Sequence, residues 1–303
     1  MVLRLSLLAI ALIFAANASG QFKSGVDAVY LDVTVQAPDG SIVRGLMKDD
    51  FQIFDEGVQH DVAVFADEPA PISVGVLIDT SGSMTGERIA AAIRAAGALG
   101  RSLQPRDLWS ISTFDFFRRT LIGWRPYNAA IIESLKAMPT GGTTELFKAV
   151  ADMVPFMQDT PHRKRAMLVI TDGIDNSVVA AMRQRGDAAA LTEPAIKAQE
   201  ALRSGEVLLY ALGIQVASSA GSVHLLSLQR LAEPTGGAAV VASSLREVET
   251  EAQRLADELR QQYTLGFYPK KAADGTYRRI TVTTRNTSYR VRTRAGYLAS
   301  RPK

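Results

Sequence analysis

Two stretches of this 303-residue chain place oxygen-bearing side chains where a metal ion could bind. The first begins at Asp79, directly after the apolar run ISVGVLI, and continues with Ser81 and Ser83. Side chains alternate along an extended chain, so these three point to the same side. The second is Asp172, which follows the apolar run AMLVIT. Ligands of an open parallel sheet bind at the carboxyl ends of its strands, so we expect both carboxylates at one edge.

A glycine loop between these stretches, Gly141-Gly142-Thr143-Thr144, offers a further hydroxyl. The full set is then two carboxylates and three hydroxyls, and the residues alone do not decide between Thr143 and Thr144. Mg²⁺ prefers oxygen ligands and keeps waters or partner ligands, whereas Ca²⁺ usually takes more carboxylate or carbonyl oxygens. Mn²⁺ also accepts such a set. Two carboxylates only balance a divalent ion, which would remain open to an acidic group from another molecule.

The same residues have a plainer interpretation. Ser and Gly after a strand often form an ordinary turn or a helix cap. The joint occurrence of all three stretches in this order favours the metal site.

The three motifs D-x-S-x-S, G-G-T and T-D-G resemble those of the von Willebrand factor type A (VWFA) domain over about residues 72–262. The resemblance implies a metal-ion-dependent adhesion site (MIDAS), and it favours Thr143 over Thr144. The implied ligands are Asp79, Ser81, Ser83, Thr143 and Asp172. It also implies that the last helix, predicted over Ser244–Gln261, can shift when the site is occupied. The flanks DGSIVRGLMKDDFQIFDEG and QYTLGFYP are similar to those of bacterial secreted VWFA-related proteins.

The elements that position these residues follow from hydrophobic patterning. Continuous apolar runs that alternate with helical stretches predict an α/β fold with a doubly wound, mostly parallel, Rossmann-like sheet. Short β segments at the two chain ends are too small to stand alone, and we expect them to pair into one smaller β-sandwich domain. The predicted division is residues 1–20 signal peptide, 21–69 N-terminal β segment, 70–262 VWA domain and 263–303 C-terminal β segment.

The first twenty residues, MVLRLSLLAIALIFAANASG, have the composition of a secretory signal peptide. The alternative is an uncleaved membrane anchor, although the apolar run is short for a bilayer span. We predict a secreted or periplasmic protein without a transmembrane anchor after cleavage.

Composition narrows the function classes. Hydrophobic residues make up 47% of the chain, which excludes intrinsic disorder, and the absence of cysteine excludes disulfides and thiolate metal sites. Arg290, Arg292 and Arg294 fall on one face of the last predicted strands. This is either a solvated face or a site for an anionic envelope surface, and nucleic acid is not expected.

No enzymatic motif accompanies the candidate metal site. An aspartyl phosphatase needs a second acid where Ser81 stands, and neither a Walker A loop nor a GxSxG elbow occurs. We therefore predict a non-enzymatic protein that binds a partner protein through the partner's Asp or Glu. The alternatives are a structural envelope protein with a stabilising metal and a metal-dependent hydrolase.

Three other features remain open at this point. Phe116-Phe117 is either an exposed contact patch or part of the core. Asp175 is expected in a plain turn, and Arg163-Lys164-Arg165 is expected to be solvated.

Overall fold

The structure is a computed structural model that describes residues 28–185, 192–214 and 221–299. The predicted signal peptide, residues 1–20, lies outside the described residues. The strands, numbered in chain order, are β1 (Val29–Gln36), β2 (Phe51–Asp55), β3 (Val58–His60), β4 (Val64–Ala66), β5 (Ile72–Asp79), β6 (Leu108–Phe114), β7 (Arg118–Arg125), β8 (Lys164–Thr171), β9 (Leu208–Ile214), β10 (Ala239–Ala242), β11 (Tyr263–Phe267), β12 (Tyr277–Thr284), β13 (Arg290–Arg292) and β14 (Gly296–Leu298). The helices are α1 (Glu87–Ser102), α2 (Ala129–Leu135), α3 (Leu146–Gln158), α4 (Asn176–Arg185), α5 (Glu193–Gly205), α6 (Gly221–Ala232) and α7 (Leu245–Arg260).

A six-stranded sheet forms the centre, in the order β10-β9-β8-β5-β6-β7. All neighbours are parallel except β7, which runs antiparallel to β6. Every residue of β5 is buried because helices cover both faces of the sheet. Residues of α1 and α7 belong to one hydrophobic core, and residues of α3, α5 and α6 belong to the other. The predicted doubly wound, mostly parallel α/β fold is confirmed.

The two chain ends build a β-sandwich. Its two antiparallel sheets have the strand orders β13-β1-β11-β4 and β14-β12-β2-β3, so each sheet combines strands from both ends of the sequence. Leu31 and Leu265 of one sheet and Ile53 and Val282 of the other share a single hydrophobic core. The pairing of the two ends is therefore confirmed, while the residue boundaries of the domains stay predictions.

Two basic segments of the sequence make internal contacts. Arg292 forms an ion pair with Glu258 of α7, and Arg294 Nη1 lies 2.5 Å from Glu206 Oε1. Lys164 is buried, and its Nζ donates to the carbonyl oxygen of Leu259 at 2.5 Å. The prediction of solvated charge for Lys164 was wrong, because the last turn of α7 covers it. The C-terminal arginines hold the β-sandwich against the α/β part.

In the part of the chain that the structure describes, none of the helices combines the length and the hydropathy needed to cross a membrane.

Candidate functional site

Strand register brings the two candidate carboxylates to one edge of the central sheet. Ile78 of β5 pairs with Ile170 of β8, so Asp79 ends β5 at the same level at which Thr171 ends β8. Asp172 follows directly. On its other side β5 pairs with β6, and Asp79 lies opposite Phe114. The carboxyl ends of three neighbouring parallel strands therefore form the floor of the site, as the patterning predicted.

Hydrogen bonds connect four of the five candidate ligands. The hydroxyls of Ser81 and Ser83 lie 3.2 Å apart, and Ser83 Oγ donates to Asp172 Oδ1 at 2.7 Å. The backbone N–H of Ser81 donates to Asp79 Oδ1 at 2.7 Å. These contacts bring together two carboxylates and two hydroxyls from the ends of β5 and β8.

Thr143, the fifth candidate, lies on the neighbouring loop. The N–H of Gly141 donates to the carbonyl oxygen of Thr80 at 2.7 Å, and that of Gly82 donates to the carbonyl oxygen of Gly142 at 3.2 Å. The Thr143 side chain is exposed, and among the described residues no hydrogen bond to its hydroxyl is formed. The loop is thus held at the edge of the site, while the structure does not link the Thr143 hydroxyl to the other four side chains.

Thr144, the other threonine of this loop, packs against Gly173, the residue that follows Asp172. It is buried, and its Oγ1 lies 3.0 Å from the position that a Cβ would occupy on Gly173. Gly142 allows the loop to approach this closely, because its φ of +80° is unfavourable for other residues. A Cβ there would also lie 3.3 Å from Asp115 Cβ, at the turn after β6.

Asp79 is the most unusual side chain of the site. The residue is 0% exposed, and burial raises the pKa of its carboxyl from 3.8 to about 6. The nearby charge of Asp172 raises the pKa further, whereas hydrogen bonds from Thr171 and Ser81 oppose the shift. Thr171 Oγ1 donates to Asp79 Oδ2 at 2.5 Å. Within residues 28–185, 192–214 and 221–299, Asp79 forms no ion pair.

This combination fits a divalent cation. A buried carboxylate needs a compensating positive charge, and the neighbouring oxygens are those that Mg²⁺ and Mn²⁺ prefer. In the described part of the chain no cluster of three or more His, Cys, Asp or Glu side chains could hold a metal. The set proposed here depends on only two acids, and hydroxyls complete it.

Arg88 is a component of the site that the sequence reasoning missed. Its guanidinium Nη1 lies 2.9 Å from Asp172 Oδ2 and also donates to the carbonyl oxygen of Ser83 at 2.8 Å. Arg88 sits in the first turn of α1, so its place follows from the helix that starts just after the serine loop. It neutralises part of the charge on Asp172, whose side chain is 0% exposed.

Neighbouring polar residues have structural roles. The carboxylate of Asp175 accepts hydrogen bonds from the N–H groups of Phe147 and Ser177 at 2.9 and 2.8 Å, which ties the start of α3 to the start of α4. It is therefore a structural link between two helices rather than a residue of a plain turn. His162 lies just before β8, at the opposite edge of the sheet, and its Nδ1 is 2.9 Å from Ser73 Oγ.

One protein-family model matches a segment of the α/β part. Residues 74–174 match the sequence model described as von Willebrand factor type A domain. This matched segment contains all three motifs, and its description is the class of domain that they indicated. A search of curated proteins found no match.

Solved structures agree with this fold. A von Willebrand factor type A protein from Catenulispora acidiphila is 11% identical over 93% of this chain and 78% of its own, with a TM-score of 0.52. The vWF domain of the type V pili tip protein Mfa5 from Porphyromonas gingivalis is 12% identical over 62% of this chain and 95% of its own, with a TM-score of 0.51. Proximal thread matrix protein 1 from the mussel byssus, in a structure with a zinc-occupied MIDAS motif, is 13% identical over 69% of this chain and 50% of its own, with a TM-score of 0.51.

Proposed function

We propose that this chain is an exported, non-enzymatic protein-binding module that depends on a divalent metal ion. Mg²⁺ or Mn²⁺ would be held by Asp79, Ser81, Ser83, Thr143 and Asp172. When bound, the ion supplies an electrophilic centre that accepts a carboxylate oxygen from an Asp or Glu of a partner protein. The zinc-occupied MIDAS motif of the mussel protein makes Zn²⁺ a third ion to test.

The observation that carries this proposal is the buried, uncompensated carboxylate of Asp79 beside a hydroxyl-linked Asp172. The two carboxylates contribute two negative charges, and Arg88 returns one positive charge. The site alone is therefore negative by one charge, and with a divalent ion it is positive by one. A net positive, oxygen-lined site favours an acidic group as the next ligand.

The same residues give little support to hydrolysis. A metal hydrolase needs a group that accepts a proton from the attacking water. The carboxylates of the site are engaged by Ser81, Ser83, Thr171 and Arg88, and His162 lies at the other edge of the sheet. The side chains of the chain hold and orient a ligand rather than move a proton.

Titration of the metal-free chain tests the proposal. Isothermal titration calorimetry with Mg²⁺, Mn²⁺ and Zn²⁺ should show one site, and Asp79→Ala should remove it. Asp159→Ala is the matched control, because Asp159 is exposed at the C-terminal end of α3, far from the carboxyl edge of the sheet. If Asp79→Ala binds these ions as tightly as the parent chain, the site is elsewhere and the proposal fails.

Partner capture is the second half of the test. Affinity purification from an extracellular fraction, with Mg²⁺ or with a chelator, should recover a partner only when the metal is present. Asp79→Ala should lose the partner while Asp159→Ala keeps it. A structural envelope protein with a stabilising metal would give a different result: Asp79→Ala would lower thermal stability without changing attachment.

Export is part of the proposal, and it depends on the predicted signal peptide. Expression of the complete chain in a bacterial host, followed by N-terminal sequencing of the exported product, should place cleavage near residue 20. A product that stays in the membrane with its first residues intact would contradict cleavage.

A further inference from the structure

Two adjacent aromatic side chains stand on the surface beside the candidate metal site. Phe116 and Phe117 are each 54% exposed, and their ring centroids lie 4.8 Å apart with the ring planes at 74°. They occupy the turn between β6 and β7. Two neighbouring phenylalanines that remain exposed lose the stabilisation that burial would give them, and such patches mark interaction sites.

The turn that carries the pair is held in one conformation. The carboxylate of Asp115 accepts from the N–H of Phe117 at 3.0 Å and pairs with Arg119 Nη1 at 2.9 Å. The carbonyl oxygen of Asp115 accepts from the N–H of Glu145 at 3.1 Å. The two rings are therefore presented on a fixed support, which lowers the entropy cost of binding to them.

The aromatic turn lies at the same edge of the sheet as Asp79. Phe114 pairs with Asp79 in the β5–β6 register, and its carbonyl oxygen accepts from the N–H of Thr80 at 2.7 Å. Neighbouring strands are about 4.8 Å apart and residues advance about 3.3 Å along a strand. The backbone of Phe116 is therefore within roughly 10 Å of Asp79, a distance that two to three residues of an extended peptide span.

We propose that Phe116 and Phe117 form the second half of the partner-binding surface. They pack against an apolar side chain that stands one to three residues from the acidic residue captured by the metal. This inference rests on the proposed function and adds to it the class of partner segment: an extended stretch in which Asp or Glu is flanked by an aromatic or aliphatic residue. One short extended segment can reach both halves of the surface, because they lie within roughly 10 Å of each other.

Lys148 lies beside this aromatic pair. Its Nζ lies 5.7 Å from the centre of the Phe117 ring and 2.7 Å from Asp152 Oδ2. Phe116 and Phe117 are nevertheless equally exposed, so both rings remain open to a partner. We therefore expect both rings to contribute to partner binding.

Two designed peptides test the inference on the Mn²⁺-loaded chain. Acetyl-Phe-Gly-Asp-Gly-Phe-amide carries apolar groups on both sides of the acid, and acetyl-Ser-Gly-Asp-Gly-Ser-amide lacks them. Calorimetric titration should show about tenfold tighter binding of the phenylalanine peptide, as expected for burial of one aromatic side chain. The double variant Phe116→Ser/Phe117→Ser should reduce this preference to less than threefold while Mn²⁺ affinity stays unchanged. Leu121→Ser is the control, since Leu121 is an exposed apolar residue further along β7.

The outcomes separate the inference from the proposed function. Equal affinity for the two peptides, or a preference that survives in the double variant, would overturn the aromatic surface alone. If the Asn analogue of either peptide binds as tightly as the Asp form, or if Mn²⁺ itself does not bind, the metal-dependent capture of an acid is wrong, and the inference falls with it.

Discussion

The clearest prediction concerns Asp79→Asn in the absence of metal. Burial raises the pKa of Asp79 from 3.8 to about 6, a difference of about two units. Each unit corresponds to about 1.4 kcal/mol, so keeping this carboxylate ionised in the metal-free protein at neutral pH costs roughly 3 kcal/mol. Asparagine removes the charge and keeps the shape. We therefore expect the metal-free variant to be more stable than the parent chain.

The hydrogen bonds of the site permit this substitution. One oxygen of Asp79 accepts from the N–H of Ser81, and an asparagine oxygen can do the same. The other oxygen accepts from Thr171 Oγ1, and an asparagine NH₂ group can instead donate to that hydroxyl. A weaker network offsets part of the gain, and we expect a net stabilisation of about 1–3 kcal/mol.

With metal bound, the parent chain should instead be more stable than the Asp79→Asn variant. A ligand at a thousand times its dissociation constant stabilises the folded state by about 4.1 kcal/mol, which exceeds the advantage of about 1–3 kcal/mol expected for the metal-free variant. The parent chain gains this stabilisation, whereas the asparagine variant gains little because it lacks one of the two carboxylates. Urea unfolding at pH 7, with a chelator and with Mg²⁺, measures both values. A variant that is less stable than the parent chain in the chelator would refute the reasoning about Asp79.

The pH dependence of the free energy of unfolding is a control for this interpretation of Asp79. A carboxyl whose pKa is raised by folding contributes full stability below its unfolded pKa and loses it as pH rises through its folded pKa. The metal-free parent chain should therefore lose stability between about pH 4 and about pH 6, and the asparagine variant should not show this loss. Identical pH profiles in the chelator would mean that Asp79 does not titrate as the structure indicates.

Three further predictions address other residues. Arg88→Gln removes a positive charge that competes with the ion for Asp172, and calorimetry should show about tenfold tighter Mn²⁺ binding; weaker binding would instead make Arg88 a residue that holds Asp172 in place. Arg292→Met should cost about 3–5 kcal/mol in urea unfolding, because it leaves the buried Glu258 unpaired, and the addition of Glu258→Gln should restore part of that loss. Burial lowers the pKa of Lys164 below its usual 10.5. The free energy of unfolding should therefore rise with pH between the pKa of Lys164 in the folded state and 10.5. Lys164→Met should flatten this rise in unfolding curves at alkaline pH.

The sequence predicted the central sheet well because its strands are buried on both faces. A strand such as β5 must be apolar along its whole length, and this leaves a continuous run that differs from the neighbouring amphipathic helices. The ends of these runs located Asp79 and Asp172 at once, since parallel strands share one carboxyl edge. The shared carboxyl edge of parallel strands and the oxygen-bearing side chains at the ends of the runs together made this candidate site predictable.

Elements at the periphery of the fold were harder to predict from the sequence. The edge strand β7 has exposed and half-buried residues without clean alternation, so no periodic signal marked it. Helix α4 was also missed, because its apolar residues are consecutive, from Val178 to Met182, and do not recur with a helical period. The cap at Asp175 was visible only as a turn-forming residue, and its second bond, to the N–H of Phe147, depends on a contact between two distant segments.

Charge pairing was the least predictable feature, for a physical reason. A row of arginines in a strand has the same pattern whether it faces water or another domain. The outcome depends on where an acid stands in the folded chain: Glu258 contacts Arg292 directly, although the two residues lie 34 positions apart in sequence. The same holds for Arg88 and Asp172, which lie 84 residues apart in sequence. Local patterns report burial and backbone geometry, whereas the electrostatic balance of the metal site depends on partners that only the tertiary fold brings into contact.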